Sequence, residues 1–306
     1  MPRSTGPTGP TGPTPAEAAV LHERVLGWYA ANARDLPWRT PECTPWGVLV
    51  SEVMAQQTPV ARVAPVWTAW MERWPTPADL AAETPGEVVR AWGRLGYPRR
   101  ALRLREAAVA VVERHGGVVP DDEPLLRALP GIGAYTAAAV TAFAFGRRTT
   151  VVDTNVRRVL VRALEGREHA APALTVAETR LAAALVPEDD AEASTWNVAV
   201  MELGAVVCRA RGPRCPQCPL LDRCAWVLAG RPEHDGPVRR GQAWHGTDRQ
   251  VRGAVLQVLR DAPGAVSRAD LDGAGDDAGQ VERCIASLVE DGLLEPVEGE
   301  RFRLPA

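Results

Sequence analysis

The first regular pattern along the chain is helical. From Pro15 to about Ala33, apolar residues recur at Val20, Leu21, Val25, Leu26 and Trp28, a spacing that gathers them on one helix face. Shorter helical segments are expected at 45–57, 60–73, 77–81, 85–93, 98–115, 123–128, 134–145, 155–164, 174–185 and 192–208, parted by Pro- and Gly-rich turns. Period-two alternation is scarce before residue 230, so this part should be nearly all α. Residues 230–246, rich in Gly, Pro and Arg, read as a linker. In 247–306, Thr247 caps a helix through Arg260, Ser267 opens a second, and 278–290 forms a third with Val281, Ile285, Leu288 and Val289 inward. "LLEPVEGERFRLP" then alternates like a hairpin turning near Glu298–Gly299. That order is winged-helix-like, a small α+β domain appended to a mainly α chain. Such modules usually bind DNA. Here the third helix carries Glu282, Glu290 and Asp291 in place of a basic stripe, which favours docking over DNA reading.

Composition narrows the class. With 46% hydrophobic and 24% charged residues over 306 positions, the chain reads as a soluble globular protein of two or three domains. No apolar run approaches the roughly 20 residues that span a bilayer, so no membrane partner is expected. "MPRSTGPTGPTGPTP" lacks the order of a secretory signal and reads as a disordered tail over 1–15, which points to the cytoplasm. The net charge of −3 argues mildly against nucleic acid, but its distribution does not. Trp92–His115 holds Arg94, Arg99, Arg100, Arg103, Arg105 and Arg114 against two glutamates, and 147–162 holds five arginines against Asp153. All 35 basic residues are arginine. With no lysine, chemistry through a lysine imine is excluded.

Four motifs remain. In "SEVMAQQT" (51–58), Glu52 and Gln56 flank an apolar arc of Trp46, Leu49, Val50, Val53 and Met54, which for an arbitrary glutamate means a solvated helix face. "LPGIGAYT" (129–136) makes a tight turn between helices, where Gly131 and Gly133 permit close backbone approach and free N–H groups suit a phosphate. An ordinary helical hairpin fits it equally well. In "VVDTNVRRVL", Asp153 precedes a helix starting near Asn155, and simple capping is the plainer reading of the local pattern. Cys208, Cys215, Cys218 and Cys224 form C-x6-C-x2-C-x5-C, a metal framework in a reducing compartment, compatible with zinc or a [4Fe–4S] cluster. Arg209, Arg211 and Arg214 stud its first loop as a phosphate clamp.

Together and in this order, these motifs closely resemble the helix-hairpin-helix DNA glycosylases that carry an iron–sulfur cluster, and among them the A/G-specific adenine glycosylases (MutY family). The resemblance covers about residues 20–230, including "RDLPWR" (34–39), "LGYPRRALRL" (95–104) and "MELGAVVC" (201–208). It implies a two-lobed fold, with 16–42 and 153–229 in a cluster lobe and 43–152 in the lobe bearing the hairpin. It implies a [4Fe–4S] cofactor on the four cysteines and a monomer acting on double-stranded nucleoid DNA. Adenine mispaired with 8-oxoguanine or guanine would be extruded and released. Glu52 matches the acid that protonates N7, Asp153 the carboxylate that stabilises the oxocarbenium ion at C1′, and Tyr135 and Asn155 residues that orient the pair. Arg34, Arg39 and Glu202 match the adenine pocket, and Gln57 the residue that fills the gap in the duplex, with Gln56 and Tyr97 beside it on the DNA side. Burial should raise the pKa of Glu52, and the helix start should lower that of Asp153. Relatives similar to endonuclease III carry a lysine nucleophile where this chain has Tyr135, so a monofunctional enzyme is expected. Many family members end in a larger Nudix-like domain; only about 60 residues remain here.

Overall fold

The computed structural model describes residues 12–234, 236 and 244–306. The expected N-terminal tail falls largely outside the described residues, as does part of the expected linker. Helices dominate: α1 (Pro15–Asn32), α2 (Pro45–Ala55), α3 (Val60–Arg73), α4 (Pro77–Ala82), α5 (Pro85–Trp92), α6 (Arg99–His115), α7 (Glu123–Arg127) and α8 (Ala134–Phe145) come first. After them run α9 (Thr154–Glu165), α10 (Val176–Ala183), α11 (Asp190–Val206), α12 (Ala225–Leu228), α13 (Asp248–Asp261) and α14 (Ala278–Glu290). No described helix is long and apolar enough to cross a membrane.

Helix starts follow a repeated local rule. Thr14, Thr44, Thr76 and Thr84 each precede a proline, and each hydroxyl accepts a backbone N–H of the first turn. Threonine satisfies a donor that would otherwise be orphaned, worth about 1 kcal/mol, and proline at the first position loses nothing because its N–H has no helical partner there. Asp122, Asp153, Asp189 and Asp277 cap α7, α9, α11 and α14 in the same way.

The chain divides into two compact units. The first joins Met1–Asp35 to Ala137–Pro237. Its core is Leu21 and Val25 of α1, Val156, Val159 and Leu160 of α9, and Trp196, Ala199, Val200 and Leu203 of α11. The end of α8 and the segment after it are tied to α11 by hydrogen bonds: Ser194 Oγ donates to the Ala142 carbonyl at 2.7 Å, and Asn197 bonds both Thr149 O and Val151 N. Residues from Ala137 on, most of α8 among them, group with this unit.

The second unit joins Leu36–Thr136 to Val238–Ala306. Tryptophans build its centre: Trp70 meets Trp74 and Trp92 edge-on at 4.8 and 5.5 Å, and the indole N–H groups of Trp46, Trp67 and Trp70 each find a backbone carbonyl. Rings of this size bury the most apolar area per residue, provided that their N–H is satisfied.

The C-terminal residues do not stand apart. Val89 of α5 sits inside the core formed by α13 and α14, and Arg90 donates to carbonyls of Leu259, Arg260 and Ala262. Arg260 returns a bond to the Val89 carbonyl at 3.1 Å. The short helix expected after Ser267 is a 3-10 helix at Ala269–Ala274, entered through reciprocal bonds in which Asp270 N donates to Ser267 Oγ and Asp270 accepts from Ser267 N and Oγ. Val266–Ser267 before it also forms a strand, β1, that the sequence did not suggest, pairing antiparallel with β3 (Arg301–Arg303), whose other edge pairs with β2 (Glu295–Val297).

Candidate active site and cysteine loop

Each unit carries one of the two carboxylates. In the second, α2 is enclosed on all sides: every residue from Trp46 to Met54 is buried. Glu52 is only 8% exposed, which excludes the solvated-face reading. The Tyr135 hydroxyl, at the start of α8, donates to Glu52 Oε2 at 2.8 Å. Gln56, at the end of α2, donates through Nε2 to Thr136 Oγ at 3.1 Å, so the hairpin helix is joined to α2 at two neighbouring positions. The turn before it depends on Gly131, whose φ is +75° and where a Cβ would lie 2.7 Å from Arg103 Cβ. A Cβ at Gly133 would meet nothing, and Gly133 is exposed: open backbone, as a phosphate contact needs. Arg39 closes a 3-10 turn at Pro37–Arg39 and is partly buried.

Two exposed residues of this unit hold left-handed backbone that side chains rarely adopt: Gln57 at φ +52° and Tyr97 at φ +48°. One arginine, assigned no individual role from sequence, braces both. Arg100 on α6 donates to carbonyls of Val53, Met54 and Gln56 at the end of α2, to Thr58 Oγ, and to carbonyls of Leu95 and Gly96 next to Tyr97. Burial pulls its pKa down to about 10.

In the first unit, Asp153 caps α9. Its Oδ1 accepts from Val156 N at 2.7 Å and its Oδ2 from Asn155 Nδ2 at 2.6 Å. The expected lowering of its pKa is corrected: burial raises it, and the bonds from Val156 and Asn155 and the Arg158 charge offset that only in part. A helix start favours the anion, but desolvation outweighs it here. Arg158 continues the chain of contacts, donating to Asn155 Oδ1 at 2.6 Å, to Gly204 O at 2.7 Å and to Cys208 O at 2.6 Å. Gly204 makes that approach possible, since a Cβ there would stand 2.7 Å from Asn155. Arg34 clasps the buried Glu202 with a two-pronged ion pair, Nε–Oε1 2.5 Å and Nη2–Oε2 2.8 Å.

All four cysteines line one cavity, together with Arg162, Val207 and Trp226. Their thiols are free. Among the described residues no group of three His, Cys, Asp or Glu side chains is placed to hold a single metal ion. Four thiolates around one cavity suit zinc or a [4Fe–4S] cluster. Arg162, 1% exposed, donates to Cys208 Sγ at 3.5 Å and stacks over Trp226, while its buried Nη2 has no partner. An unsatisfied guanidinium nitrogen in a cavity of thiols fits an anionic thiolate cluster. Burial pushes the Cys218 thiol up to about 12 and raises that of Cys224, so thiolate forms there only with a cationic partner. Arg209 folds onto its own loop, donating to Gly212 O at 2.8 Å, whereas Arg211 and Arg214 are exposed.

The sequence profile of the HhH-GPD superfamily base excision DNA repair proteins matches residues 50–181. An adenine DNA glycosylase of Mycobacterium tuberculosis is 52% identical over 282 residues, covering 92% of this chain and 92% of that protein. Among solved structures, a thermostable thymine-DNA glycosylase aligns with TM-score 0.62 at 27% identity, over 69% of this chain and 97% of its own. An endonuclease III–DNA complex aligns with TM-score 0.59 at 25% identity, over 70% of this chain and 97% of that one.

Proposed function

The chain belongs to the adenine DNA glycosylases of the HhH-GPD superfamily, and on that basis we propose that it is a monofunctional enzyme releasing adenine paired with 8-oxoguanine or guanine. The observation that carries the reading is the Tyr135–Glu52 hydrogen bond in a chain without lysine. Tyrosine donating to one carboxylate oxygen orients the Glu52 carboxyl, which as an acid carries the proton that adenine needs to leave. Glu52 protonates adenine at N7, the C1′–N9 bond breaks with its electrons going to the base, and the sugar becomes an oxocarbenium ion. Asp153, held by Val156 N and Asn155, stabilises that cation and can bond to it before water attacks. The chain has no lysine to form an imine at C1′, so the DNA strand is expected to stay whole.

Arg34 with Glu202, and Arg39, would line the adenine pocket; Gln56, Gln57, Tyr97, Gly131, Gly133 and Arg211 would face DNA. The cysteines and Arg162 fit a [4Fe–4S] cluster, which when bound supplies a redox-capable iron centre and a rigid tie for the loop. Of the alternatives, a thymine- or uracil-releasing enzyme shares the fold, but the 52% identity lies with adenine glycosylases. A silent DNA-binding scaffold has no use for a buried glutamate oriented by tyrosine. Glu52→Gln tests the reading: duplex binding is expected to survive while adenine release falls by about 10²–10⁴-fold, the usual share of a general acid. Undiminished release would remove Glu52 from this role.

A further inference from the structure

Three rings and two guanidinium groups alternate along one side of the second unit. Arg100 lies 5.1 Å from the Trp92 ring centre and 5.5 Å from that of Tyr97; Arg249 lies 5.2 Å from Tyr97 on the same ladder and 5.4 Å from Trp244. The two ends differ. Trp92 is fully buried and Arg100 is occupied by backbone carbonyls, whereas Trp244 is half exposed and Arg249, on the first turn of α13, is exposed. Among the described residues Arg249 makes no ion pair. Its neighbour Asp248 is engaged elsewhere, accepting from Gln280 Nε2 at 2.8 Å and facing Arg283 at 3.6 Å.

The outer end is held in place. Thr247 Oγ donates to the Trp244 carbonyl at 2.8 Å, Gly246 N to Gln250 Oε1, and Gln280 Nε2 to Gly246 O. Asp291 at the end of α14 binds both Arg252 and Arg99, adding an ionic tie to the contacts that Val89, Arg90 and Arg260 make between α5 and α13. Arg249 is therefore presented beside Tyr97 by packed helices and not by a loop.

We propose that Arg249 and Trp244 extend the DNA-binding face that begins at Tyr97, with Arg249 meeting a backbone phosphate of the bound duplex and Trp244 covering the adjoining sugar and base. The inference rests on the glycosylase reading. A duplex engaged at an exposed Tyr97 brings phosphates past its edge, one per strand every 3.4 Å or so. A guanidinium stacked on the ring and free of carboxylates is oriented to receive one. The small C-terminal domain would then serve DNA through the start of its first helix, while its acidic third helix docks.

The experiment uses the full-length, cluster-loaded protein and a duplex whose target adenosine carries a 2′-fluorine, which destabilises the oxocarbenium ion and keeps the base in place. Affinity is read by fluorescence anisotropy across salt concentrations for wild type, Arg249→Gln, Trp244→Ala and Arg303→Gln on the hairpin. Losing one phosphate contact should reduce the slope of log K against log salt by about 0.9, so the penalty of Arg249→Gln should shrink about 3.5-fold between about 50 and about 200 mM salt. Trp244→Ala should weaken binding about tenfold with its slope unchanged, and Arg303→Gln should change neither quantity. Unaltered affinity and slope in Arg249→Gln would overturn the proposal. So would weaker binding at an unaltered slope, which would make Arg249 only a brace for Tyr97, or an equal loss at Arg303. Adenine release from an unfluorinated duplex by wild type separates the two readings: its absence refutes the glycosylase, its presence with an inert Arg249 refutes only this surface.

Discussion

Residues 52 and 153 each look ordinary in local sequence, one as a solvated glutamate and the other as a helix cap; only their company in four ordered motifs marked them. The structure gives each a physical setting: Glu52 is buried against Tyr135, and Asp153 is both a cap and a desolvated carboxylate. The raised pKa of Asp153 has a direction that can be checked. Its ionised form is the one that meets the cation, so activity should fall as pH drops through that raised value. Asn155→Ala removes a donor that favours the anion, so the acid limb of the single-turnover profile should move to higher pH, with a rate loss of about tenfold at neutral pH from one charge-assisted bond. An unmoved limb would contradict the assignment. For folding the sign is the reverse of that for a salt-bridged aspartate. Native Asp153 holds its proton to higher pH than the unfolded chain, so its contribution to stability is present at low pH and is lost as pH rises through its native pKa. Arg100, Arg158 and Arg162 were not legible as functional. Arg100 and Arg158 stand inside quoted motifs, but their acceptors are mostly backbone carbonyls, which leave no trace in sequence, so nothing singled out what either side chain does.

Among the elements, helix starts were the most legible part of the fold, because a Thr-Pro pair or a capping aspartate states its function locally. β1 was not legible, since two residues are too few to show alternation and Ser267 reads, correctly, as the entry to the short helix that follows. The junction of α2 with the Gly96–Tyr97 turn depends on Arg100, and its six acceptors belong to both elements. Arg100→Met keeps the aliphatic stem but removes the guanidinium donors, leaving Gln56 and Leu95 to Thr58 Oγ and Gly96 to the Trp92 indole, and is expected to cost about 3 kcal/mol. Thermal denaturation should show a fall of several degrees, and binding to an adenine-mismatch duplex should weaken, because Gln57 and Tyr97 lose their brace. A variant of unchanged Tm would show that the bonds are dispensable.

For the whole molecule, the sequence suggested a docking role for the last 60 residues without saying where they dock. That depends on single residues of α5 which carry no motif: Val89 in the core of α13 and α14, and Gly86, where a Cβ would stand 2.5 Å from the Pro305 carbonyl. Gly86→Val should therefore loosen the C-terminal residues at a cost of about 1–3 kcal/mol from overpacking, read as faster tryptic cleavage at Arg301 and Arg303 together with a lower Tm. Unchanged cleavage would mean that the chain end is held elsewhere. The central claim remains that two carboxylates and a tyrosine release adenine without a lysine. A labelled duplex bearing one adenine opposite 8-oxoguanine, incubated with excess protein and split into halves with and without alkali, tests it most directly. The account predicts strands cut only in the alkali-treated half. Cutting without alkali, or intact strands in both halves, would contradict it.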